Sequence, residues 1–457
     1  EKISFRAAER TELRWNIGGL TSAFNIFWSI IMNTTNIYAF IAPLAIGFIL
    51  LEVLACWYFN KKYITFQEAV ANFGTALGNQ TMNVLVAAGV YVAYGYLWTN
   101  YRFIDHIEMN VINFLLLLLG IDFIFYWVHR WGHHVNIMWA AHSPHHSAEE
   151  MNFLVAVRAS VTQRLFSFFF FWPLTLIGFR PIDIYAMTGI HLFISFLHHT
   201  EFIPKLWRWV EMIFTTPSHH RVHHGVNFKY LDKNFGEFLI IWDRLFGTFE
   251  EEKEKVVYGM YNPPRTWNPI TINFHYYMVL WKDAMAAPRW LDKIKIWFMP
   301  LGWRPSGLPA KPELEEITQK NQKRFSTIMF RGAKPYLLAH AVSGVVLMMF
   351  IIDPNSPWST AERWIGSFLL WHMVINWSGI LESKNWLLAS EIIRLGLTLK
   401  FVLFLSSLPF THPAMLAVGF LFLVSLVWTM VFFRTFSLTV IQMEAPETNN
   451  SKRVVEQ

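Results

Sequence analysis

Histidines at short, repeated intervals are the side chains of this chain that could do chemistry. Thirteen of its eighteen histidines lie between positions 129 and 224. The pattern His-x-x-His-His occurs twice among them, and His129 with His133 adds a His-x-x-x-His pair. On a helix, positions i, i+3 and i+4 lie on one face, and neutral imidazole is a good ligand for first-row transition metals. The spacing therefore predicts a metal site built from helix faces.

The number of histidines predicts two metal ions. A mononuclear centre takes three or four protein ligands, which is fewer than this chain offers. Spacing favours eight histidines as ligands, with His199 as a ninth. His134 and His219, the doublet partners of His133 and His220, could bind a metal or line the pocket, and His219 is included in the predicted set. The predicted metal ligands are His129, His133, His142, His145, His146, His199, His219, His220, His223 and His224.

Heme-binding proteins and metal transporters are two other classes with histidines in or near the membrane. Heme-binding membrane helices typically supply single histidines and do not need doublets. Histidine loops of transporters tend to be of low complexity, whereas these motifs alternate with Met138, Trp139 and Phe153. A protein-bound pair of metal ions is the interpretation that fits all three histidine clusters.

A carboxylate inside an apolar run is a further candidate for the site. Asp122 lies in such a run, where ionisable groups are costly and therefore functional candidates. On a helix it shares one stripe with His129 and His133, so it could accept a hydrogen bond from an imidazole N–H. The alternative is an aspartate that pairs elsewhere in a helix bundle.

Polar side chains after the second and third histidine motifs could support the metal ligands. Glu149, Glu150 and Asn152 follow the second motif and could bond to ligating imidazoles, or could cap a helix or face water. Asn227, Asp232 and Asn234 follow the third motif in the same way and are also candidates for such support. The residues predicted to take part in catalysis are Asp122, Glu150 and Asn152.

The composition determines which kind of protein holds this site. Hydrophobic residues make up 54% of the 457 residues, charged residues 15%, and the mean hydropathy is +0.30. These values predict a polytopic membrane protein. The single Cys56 excludes an intrachain disulfide and a thiolate cluster, so nitrogen and oxygen must bind the metals. The net charge of +6 comes without a basic stripe or RNA-binding motif, so no nucleic-acid partner is expected.

Alternating apolar and polar stretches predict an all-α fold: a polytopic membrane helical bundle with a cytosolic cap that carries the histidine-rich two-metal site. Apolar runs occur at 37–58, 82–98, 111–128, 166–179, 182–197, 335–352, 364–381, 386–408 and 415–433. The predicted parts are an N-terminal interfacial segment (1–36), transmembrane helices with the first two histidine motifs (37–200), a cytosolic cap with the third motif (201–333), C-terminal transmembrane helices (334–436) and a polar tail (437–457).

The positive-inside rule predicts the orientation of the bundle. If Lys61 and Lys62 face the cytosol, counting the spans places every histidine motif on the cytosolic side. Arg102 and Arg180 then lie on the opposite side, so the rule holds only for the majority of the basic residues. We therefore expect a multi-pass integral membrane protein, in the endoplasmic reticulum if eukaryotic and in the cytoplasmic membrane if bacterial.

The ligand type and the membrane setting together predict oxygen chemistry on a lipid. Neutral imidazoles leave two iron(II) ions with most of their positive charge, which suits the binding and reduction of O2. A site at head-group level, under apolar helices, can admit a lipid chain from the bilayer and exclude bulk water. No GxGxxG fingerprint, heme motif or cysteine cluster is present, so the electrons must come from an external donor.

The three motifs His129–His133, His142–His146 and His220–His224 resemble the HxxxH, HxxHH and HxxHH signature of the fatty acid hydroxylase/sterol desaturase superfamily. The stretches 122–152, 216–225, 232–236 and 240–259 are similar to the alkylglycerol monooxygenases of that superfamily. This resemblance implies a tetrahydrobiopterin-dependent enzyme of the endoplasmic reticulum membrane. Such an enzyme uses O2 to hydroxylate the ether-linked carbon of alkylglycerols, and the product collapses to a fatty aldehyde and a glycerol derivative. It also implies that the eight motif histidines bind iron, with His199 beside them.

One position departs from that resemblance. The alkylglycerol-cleaving members have Glu directly after the first motif, where this chain has His134, and sterol-oxidising relatives often have His there. A sterol, fatty-acid or carotenoid hydroxylase or desaturase is therefore the alternative within the superfamily. Outside it, a membrane zinc hydrolase would need a carboxylate base, which Glu149 or Glu150 could supply.

Overall fold

A computed structural model describes residues 37–310, 312–329, 332–353, 355–406 and 413–431 of the chain. The predicted interfacial segment 1–36 and polar tail 437–457 lie outside these residues. Within the described ranges the regular elements are helices, and no β-strand is formed beyond three isolated bridges. The structure thus confirms the all-α prediction.

Seventeen α-helices follow one another in the described part of the chain. The first eight are α1 (Ile37–Tyr58), α2 (Phe66–Tyr101), α3 (Val111–His134), α4 (Asn136–His146), α5 (Phe153–Ala156), α6 (Gln163–Phe169), α7 (Trp172–Ile177) and α8 (Pro181–Leu197). The middle five are α9 (Arg208–Ile213), α10 (Pro217–His223), α11 (Ile241–Phe246), α12 (Pro269–Ala286) and α13 (Trp290–Phe298). The last four are α14 (Ala333–Ile352), α15 (Thr360–Leu381), α16 (Leu387–Lys400) and α17 (Pro413–Val431).

Six of these helices are long and apolar enough to cross a membrane, namely α1, α2, α3, α14, α15 and α17. The described residues therefore confirm a multi-pass membrane bundle. The run predicted at 82–98 is part of the much longer helix α2, which has 36 residues and a length of about 54 Å. Since about 20 residues span a bilayer, α2 must extend beyond it at one end.

The apolar runs 166–179 and 182–197 form shorter helices than the transmembrane helices predicted for this stretch. Two short helices, α6 and α7, precede α8, and all three are shorter than the six candidate spans. Gly178 ends α7 with φ +130°, and a Cβ at this position would lie 2.7 Å from the carbonyl oxygen of Ile104. A residue with a side chain would be strained there, so the glycine allows the chain to turn sharply into α8.

Helix starts follow capping signals in the sequence. The side chain of Asn110 accepts a hydrogen bond from the backbone N–H of Asn113 at 3.0 Å and begins α3. Ser359 and Glu362 form a reciprocal capping box at the start of α15. Asn268 caps α12, with Pro269 in the first turn. These residues satisfy backbone donors that a helix start would otherwise leave unpaired.

Helix α2 is the central packing element of the bundle. It contacts α14 and α15 on one side and α6, α7 and α8 on the other. A Cβ added at Gly78 would lie 3.1 Å from the indole of Trp371, and one at Gly344 would lie 2.8 Å from Met373. Small residues at these positions let the helices approach closely, as is common in membrane helix packing.

The helix ends that carry the histidine motifs lie at one end of the bundle. The chain crosses once in α2 and returns in α3, so the start of α2 and the end of α3 lie on the same side. Gln67 donates a hydrogen bond to the carbonyl of Thr327 at 3.1 Å, and Thr327 donates to the carbonyl of Leu381 at 2.6 Å. These contacts place the end of α15 on that side as well.

Candidate metal centre

Four segments deliver histidines to this end of the bundle. His129 and His133 lie one turn apart at the end of α3, and the second motif occupies the last two turns of α4. His199 follows α8, and the third motif lies in α10 and the residue after it. Since α10 begins with Pro217, its fixed φ suits the first helical turn.

Nine buried histidines form two groups, in each of which one ring nitrogen per residue lies within 4.8 Å of the others. The five-histidine group consists of His129, His133, His142, His146 and His223. The four-histidine group consists of His145, His199, His220 and His224. Every histidine of the three motifs belongs to one of them, and His199 joins the second.

Neighbouring histidines of each group point the same nitrogen, Nε2, at one another. In the five-histidine group the Nε2–Nε2 distances are 3.1 Å for His129–His142, 3.1 Å for His142–His146, 3.2 Å for His133–His146 and 3.1 Å for His146–His223. In the four-histidine group they are 3.1 Å for His145–His199, 2.9 Å for His199–His220 and 3.1 Å for His220–His224. The nitrogens thus converge on two points.

Hydrogen bonds made by the other ring nitrogen, Nδ1, determine whether Nε2 presents a lone pair or an N–H to these two points. The Nδ1 atom of His129 donates to the carbonyl of Phe235 at 2.8 Å, and that of His199 donates to the carbonyl of Ser195 at 3.0 Å. Burial lowers the pKa of His199 well below its usual value and that of His145 to about 4, so these rings are neutral. A neutral ring that donates from Nδ1 presents only a lone pair at Nε2. Lone pairs about 3 Å apart repel unless a cation lies between them.

The spacing of the nitrogens also limits the coordination geometry. A metal–nitrogen bond of about 2.1 Å separates two ligand nitrogens by about 3.0 Å at a right angle and by about 3.4 Å at the tetrahedral angle. The observed distances of 2.9–3.2 Å match the right angle. The residues therefore fit a metal ion bound between neighbouring nitrogens of each group.

The adjacent histidines that end each His-x-x-His-His motif belong to different groups. His145 lies in the four-histidine group and His146 in the five-histidine group, and His224 and His223 divide in the same way. Successive helical residues are about 100° apart around the axis, so neighbours cannot point at the same ion. Because each doublet contributes to both groups, α4 and α10 hold the two groups next to each other.

Two histidines that are next to motif residues in the sequence, His219 and His134, lie outside both groups. His219, predicted as a ligand, is buried, but its Nε2 lies 3.1 Å from Glu211 and its Nδ1 lies 3.3 Å from Thr216. Burial alone would raise the pKa of Glu211, yet its hydrogen bonds, including the one with His219, lower it to about 2. His134 is exposed and donates to the carbonyl of Arg130 at 2.7 Å.

Asp122 has a different partner from the one the sequence suggested. Its carboxylate accepts hydrogen bonds from His191 at 2.8 Å, from the backbone of Phe238 at 2.9 Å and Leu239 at 3.1 Å, and from the indole of Trp242 at 2.8 Å. It therefore fastens α3 to α8 and to the segment after the third motif. None of these four partners is a histidine of either group.

Glu150 and Asn152 connect the loop after the second motif to the α1–α2 connection. Glu150 accepts from the backbone N–H of Thr65 at 2.9 Å and from Asn152 at 3.2 Å. Asn152 donates to the carbonyl of Tyr63 at 2.9 Å and caps α5 by accepting from Leu154 at 3.1 Å. Within the described residues neither side chain bonds to a ligand histidine, so their place is beside the site.

Glu150 predicts a pH dependence of stability. Burial raises its pKa from 4.5 to about 7. Because its pKa is higher in the folded state, Glu150 contributes to the free energy of unfolding in its protonated form. This contribution is complete below about pH 4.5 and is lost as the pH rises through about 7. We expect the thermal unfolding midpoint of Glu150→Gln, measured in detergent micelles, to change less between about pH 5 and 8 than that of the wild type. Glu313→Gln, at an exposed position, is the control, and equal slopes for all three proteins would contradict the prediction.

The polar residues after the third motif divide into two roles. Asp232 approaches His133, with 3.5 Å between its carboxylate and Nδ1, so it can orient a ligand ring. Asn227 and Asn234 instead bond to backbone groups. The side chain of Asn227 accepts from the N–H of Val257 at 2.9 Å, and that of Asn234 donates to the carbonyl of Glu250 at 2.8 Å. These two asparagines brace the loop.

The conformation of that loop determines the position of a carbonyl that accepts a hydrogen bond from a histidine of the five-histidine group. Asp232 and Asn234 both have φ +55°, a left-handed conformation that these residue types tolerate. Between them, the carbonyl of Lys233 accepts from Nδ1 of His223 at 3.0 Å. A Cβ at Gly236 would lie 2.5 Å from the carbonyl oxygen of Leu239, so this tight turn requires glycine.

Two residues near the site were missed by sequence reasoning. Gln163 lies 3.2 Å from Nδ1 of His142, and its Oε1 has no partner among the described residues. With its amide turned over, Oε1 would accept the N–H of His142. Glu237 is 1% exposed and lies 3.8 Å from Nδ1 of His129. Nothing in the sequence around Gln163 indicated a role in the site. Glu237, in contrast, directly follows the stretch 232–236, which was already part of the family resemblance.

Glu237 lies between the two groups. It also forms a third cluster with His198 and His220, and its Oε1 has no hydrogen-bond partner in the part of the chain that is described. Burial and the nearby Asp122 raise the pKa of Glu237 well above its usual value. A cation in each group would favour its charged form, and the carboxylate could then orient His220.

Replacing this carboxylate is expected to weaken metal binding. Outer carboxylate partners of ligand histidines typically contribute roughly 10–100-fold to metal affinity, and we expect a loss of that size for Glu237→Gln. Titration of chelator-stripped protein with Co(II), followed by its visible absorption, measures this. Glu251→Gln, at a half-exposed carboxylate of the same cap, is the control. Unchanged affinity in Glu237→Gln would contradict the role.

Known proteins share this part of the chain. The fatty acid hydroxylase family profile matches residues 114–248. Human alkylglycerol monooxygenase is 38% identical over 282 residues, which cover 61% of this chain and 63% of the human protein. The Xenopus tropicalis enzyme of the same name is 37% identical over 272 residues, covering 59% of this chain and 60% of that protein.

More distant relatives extend the comparison to other lipids. A Delta(7)-sterol 5(6)-desaturase of Aspergillus fumigatus is 26% identical over 155 residues, which cover 32% of this chain and 40% of that protein. No solved structure matches the chain significantly. The chain spans less than two thirds of the length of the alkylglycerol monooxygenases that it matches. Residues 114–248, which include every histidine of the two groups, match the fatty acid hydroxylase family, and the chain is similar to the alkylglycerol monooxygenases over about three fifths of its length.

Proposed function

We propose that this protein is a di-iron membrane monooxygenase that uses O2 to hydroxylate the ether-linked carbon of alkylglycerols. The observation that supports this most is the convergence of nine Nε2 atoms on two points at one end of an apolar bundle, within a fatty acid hydroxylase domain. The proposed products are a fatty aldehyde and a glycerol derivative. Reduced pterin, tetrahydrobiopterin, is the proposed electron donor.

The nine histidines are the residues that would hold the iron. Bound iron(II) supplies the activation of O2, and the neutral nitrogen donors leave most of its positive charge in place. The carbonyls of Phe235, Ser195 and Lys233 hold three ligand rings in the tautomer that leaves Nε2 free for a metal. This arrangement prepares the site before metal binding.

Aromatic rings cover the five-histidine group. Phe235 is fully buried, with its ring centroid 5.2 Å from that of His133 and 5.8 Å from that of His223. The ring of Trp139 lies 5.1 Å from His133 and 5.6 Å from His146. These apolar faces exclude water from the ligands, which protects a strong oxidant from side reactions.

The proposed reaction balances with one O2 and two electrons. One oxygen atom is inserted into a C–H bond of the carbon next to the ether oxygen, and the other leaves as water with two protons and two electrons from the donor. The resulting hemiacetal loses its alcohol, so the ether C–O bond breaks and an aldehyde remains. An ester lipid has no C–H bond at the carbonyl carbon and cannot follow this route.

A sterol, fatty-acid or carotenoid hydroxylase or desaturase is the second candidate. The sterol desaturase relative and His134, which replaces the Glu of alkylglycerol-cleaving members, favour it. The zinc hydrolase is less consistent with the geometry. Glu149 accepts from the backbone of Phe325 at 2.7 Å and Glu150 from that of Thr65, so both candidate bases are directed away from the ligands.

The orientation in the membrane is part of the proposal. With the histidine end facing the cytosol, Lys61 and Lys62 also lie on that side, close after α1. The protein would then reside in the endoplasmic reticulum of a eukaryote or in the cytoplasmic membrane of a bacterium. A cytosolic site is accessible to a soluble electron donor.

Metal analysis and oxygen uptake together test the function. The purified protein should contain two irons per chain and consume O2 with a 1-O-alkylglycerol and a reduced pterin, releasing a fatty aldehyde. A monoacylglycerol of equal chain length, which differs only in its ester bond, should give no uptake. Zinc without oxygen uptake would overturn the proposal, and uptake with a sterol or fatty acid alone would favour the second candidate.

A further inference from the structure

An exposed apolar surface on the predicted water-facing cap has no role in the site. It is formed by large side chains that recur along one side of α12 and α13. We call this surface the apolar face, and its residues are Phe274, Met278, Trp281, Met285, Leu291, Ile294 and Phe298. Trp281 is 54% exposed and Phe298 is 64% exposed. A surface of this size marks an interaction site, since soluble surfaces rarely expose so many large apolar residues together.

The spacing places the exposed apolar residues of each helix on one side of that helix. Positions 274, 278, 281 and 285 are separated by four, three and four residues, and 291, 294 and 298 by three and four. The opposite side of each helix is buried, with Leu280 and Ala284 in α12 and Ile296 in α13 packing together beside Ala140 of α4. Each helix therefore has one apolar side packed in the protein and a second apolar side exposed.

Hydrogen bonds fix where α12 lies relative to the membrane spans. Just before its start, Thr266 and the backbone of Trp267 donate to Glu382, the residue after α15, each at 2.6 Å. Further along, Tyr276 donates to Asn136 at 3.1 Å, directly after the end of α3. The ends of α15 and α3 lie on the same side of the bundle, so α12 runs across that end.

Helix α13 is attached at the same level. Asn136 donates to the carbonyl of Ile296 at 2.8 Å, and the backbone N–H of Leu301 donates to the carbonyl of His134 at 3.0 Å. His134 is the last residue of the spanning helix α3. Both helices therefore lie at the boundary between the bilayer and water.

The charges around the face complement anionic lipid. Acidic residues of the two helices are engaged within the protein: Asp283 pairs with Arg304, and Asp292 accepts from Ser306 at 3.2 Å. Lys282, Arg289 and Lys295 are exposed and form no ion pair within the described ranges. Basic side chains beside an apolar stripe with tryptophan are typical of helices that lie in the head-group region.

We infer that the apolar face of α12 and α13 is seated in the head-group region of the bilayer, against anionic lipid, on the side of the metal centre. The cap is then partly embedded and not wholly surrounded by water. Because α12 packs on α4, which carries the second histidine motif, this seating would hold the two histidine groups close to head-group depth. The seating is independent of the reaction that the centre performs.

Spin labels report the depth of the face in the full-length protein. Single cysteines are introduced as Met278→Cys and Ile294→Cys in a Cys56→Ser background, and the protein is reconstituted in nanodiscs that contain phosphatidylglycerol. Power saturation then compares the accessibility of each label to O2, which concentrates in lipid, and to a water-soluble nickel chelate. We expect both labels to favour O2 severalfold over the nickel chelate.

Two control positions bracket the result. Lys320→Cys lies in an exposed polar stretch and should favour the nickel chelate, whereas Val342→Cys lies on an exposed side of α14 and should favour O2. Labels at 278 and 294 that behave like the one at 320 would overturn the inference. Dipolar coupling between labels on two copies of the chain would also overturn it, because a second copy would then cover the face. Replacing phosphatidylglycerol by phosphatidylcholine should make both labels more accessible to nickel, and no change would overturn the anionic-lipid component.

Discussion

His145→Ala is expected to remove metal from the four-histidine group and to abolish turnover. The Nε2 atom of His145 lies 3.1 Å from that of His199, and only three ligands would remain in the group. The loss of a ligand should exceed the roughly 10–100-fold loss of affinity that changes in outer partners cause. Metal content of the purified variant should fall from about two ions per chain to about one, since the five-histidine group is intact.

Two matched variants separate this effect from general damage. His134→Ala removes an exposed member of a doublet, and His219→Ala removes a buried one that bonds to Glu211 outside both groups. We expect both to retain two metals, although His219→Ala can lower stability because it leaves Glu211 with fewer partners. Gel filtration in detergent shows whether each variant is folded. A folded His145→Ala protein with two metals and full oxygen uptake would reject His145 as a ligand.

Asp122→Ala is expected to cause the largest loss of stability among the residues around the centre. Its carboxylate is fully buried and accepts four hydrogen bonds, from His191, Trp242 and the backbone of Phe238 and Leu239. A buried donor without an acceptor costs about 1–3 kcal/mol, so removing an acceptor shared by four donors should cost several kcal/mol. The unfolding midpoint in detergent should fall markedly.

The same variant should also weaken metal retention. The segment that Asp122 fastens follows the third motif, and it includes Phe235, whose carbonyl orients His129, only three residues before Phe238. Asp105→Asn is the control, because Asp105 pairs with Arg102 on an exposed loop with 94% of its side chain accessible. Surface substitutions usually change the free energy of unfolding by less than about 0.5 kcal/mol. A change no larger than this in Asp122→Ala would contradict this role.

Local periodicity was enough to predict the fold class and that the motif histidines lie close together. Positions i, i+3 and i+4 share a helix face whatever the rest of the chain does, so the spacing alone predicted that His142, His145 and His146 could bind metal. Apolar runs long enough to span a bilayer predicted the helical bundle for the same reason. The split of His145 and His146 between the two groups also follows from helix geometry, although it was not predicted.

Contacts between distant segments could not be predicted in this way. Asp122 was expected to bond to an imidazole on its own helix, but its imidazole partner is His191, which is 69 positions away. Glu150 and Asn152 lie near the second motif in sequence, yet their side chains turn to the α1–α2 connection. Proximity in sequence places a residue near a site, but it does not determine the direction of its side chain.

The sequence by itself determined the ligand type, the helical spacing and the membrane setting of this protein, because each of these depends on residues within a few turns of one another. Only the tertiary structure decided that nine rings form groups of five and four, that His219 stays outside both, and that Glu237 lies between them. These outcomes depend on how α3, α4, α8 and α10 pack together, and packing energies come from surfaces that a linear pattern does not specify.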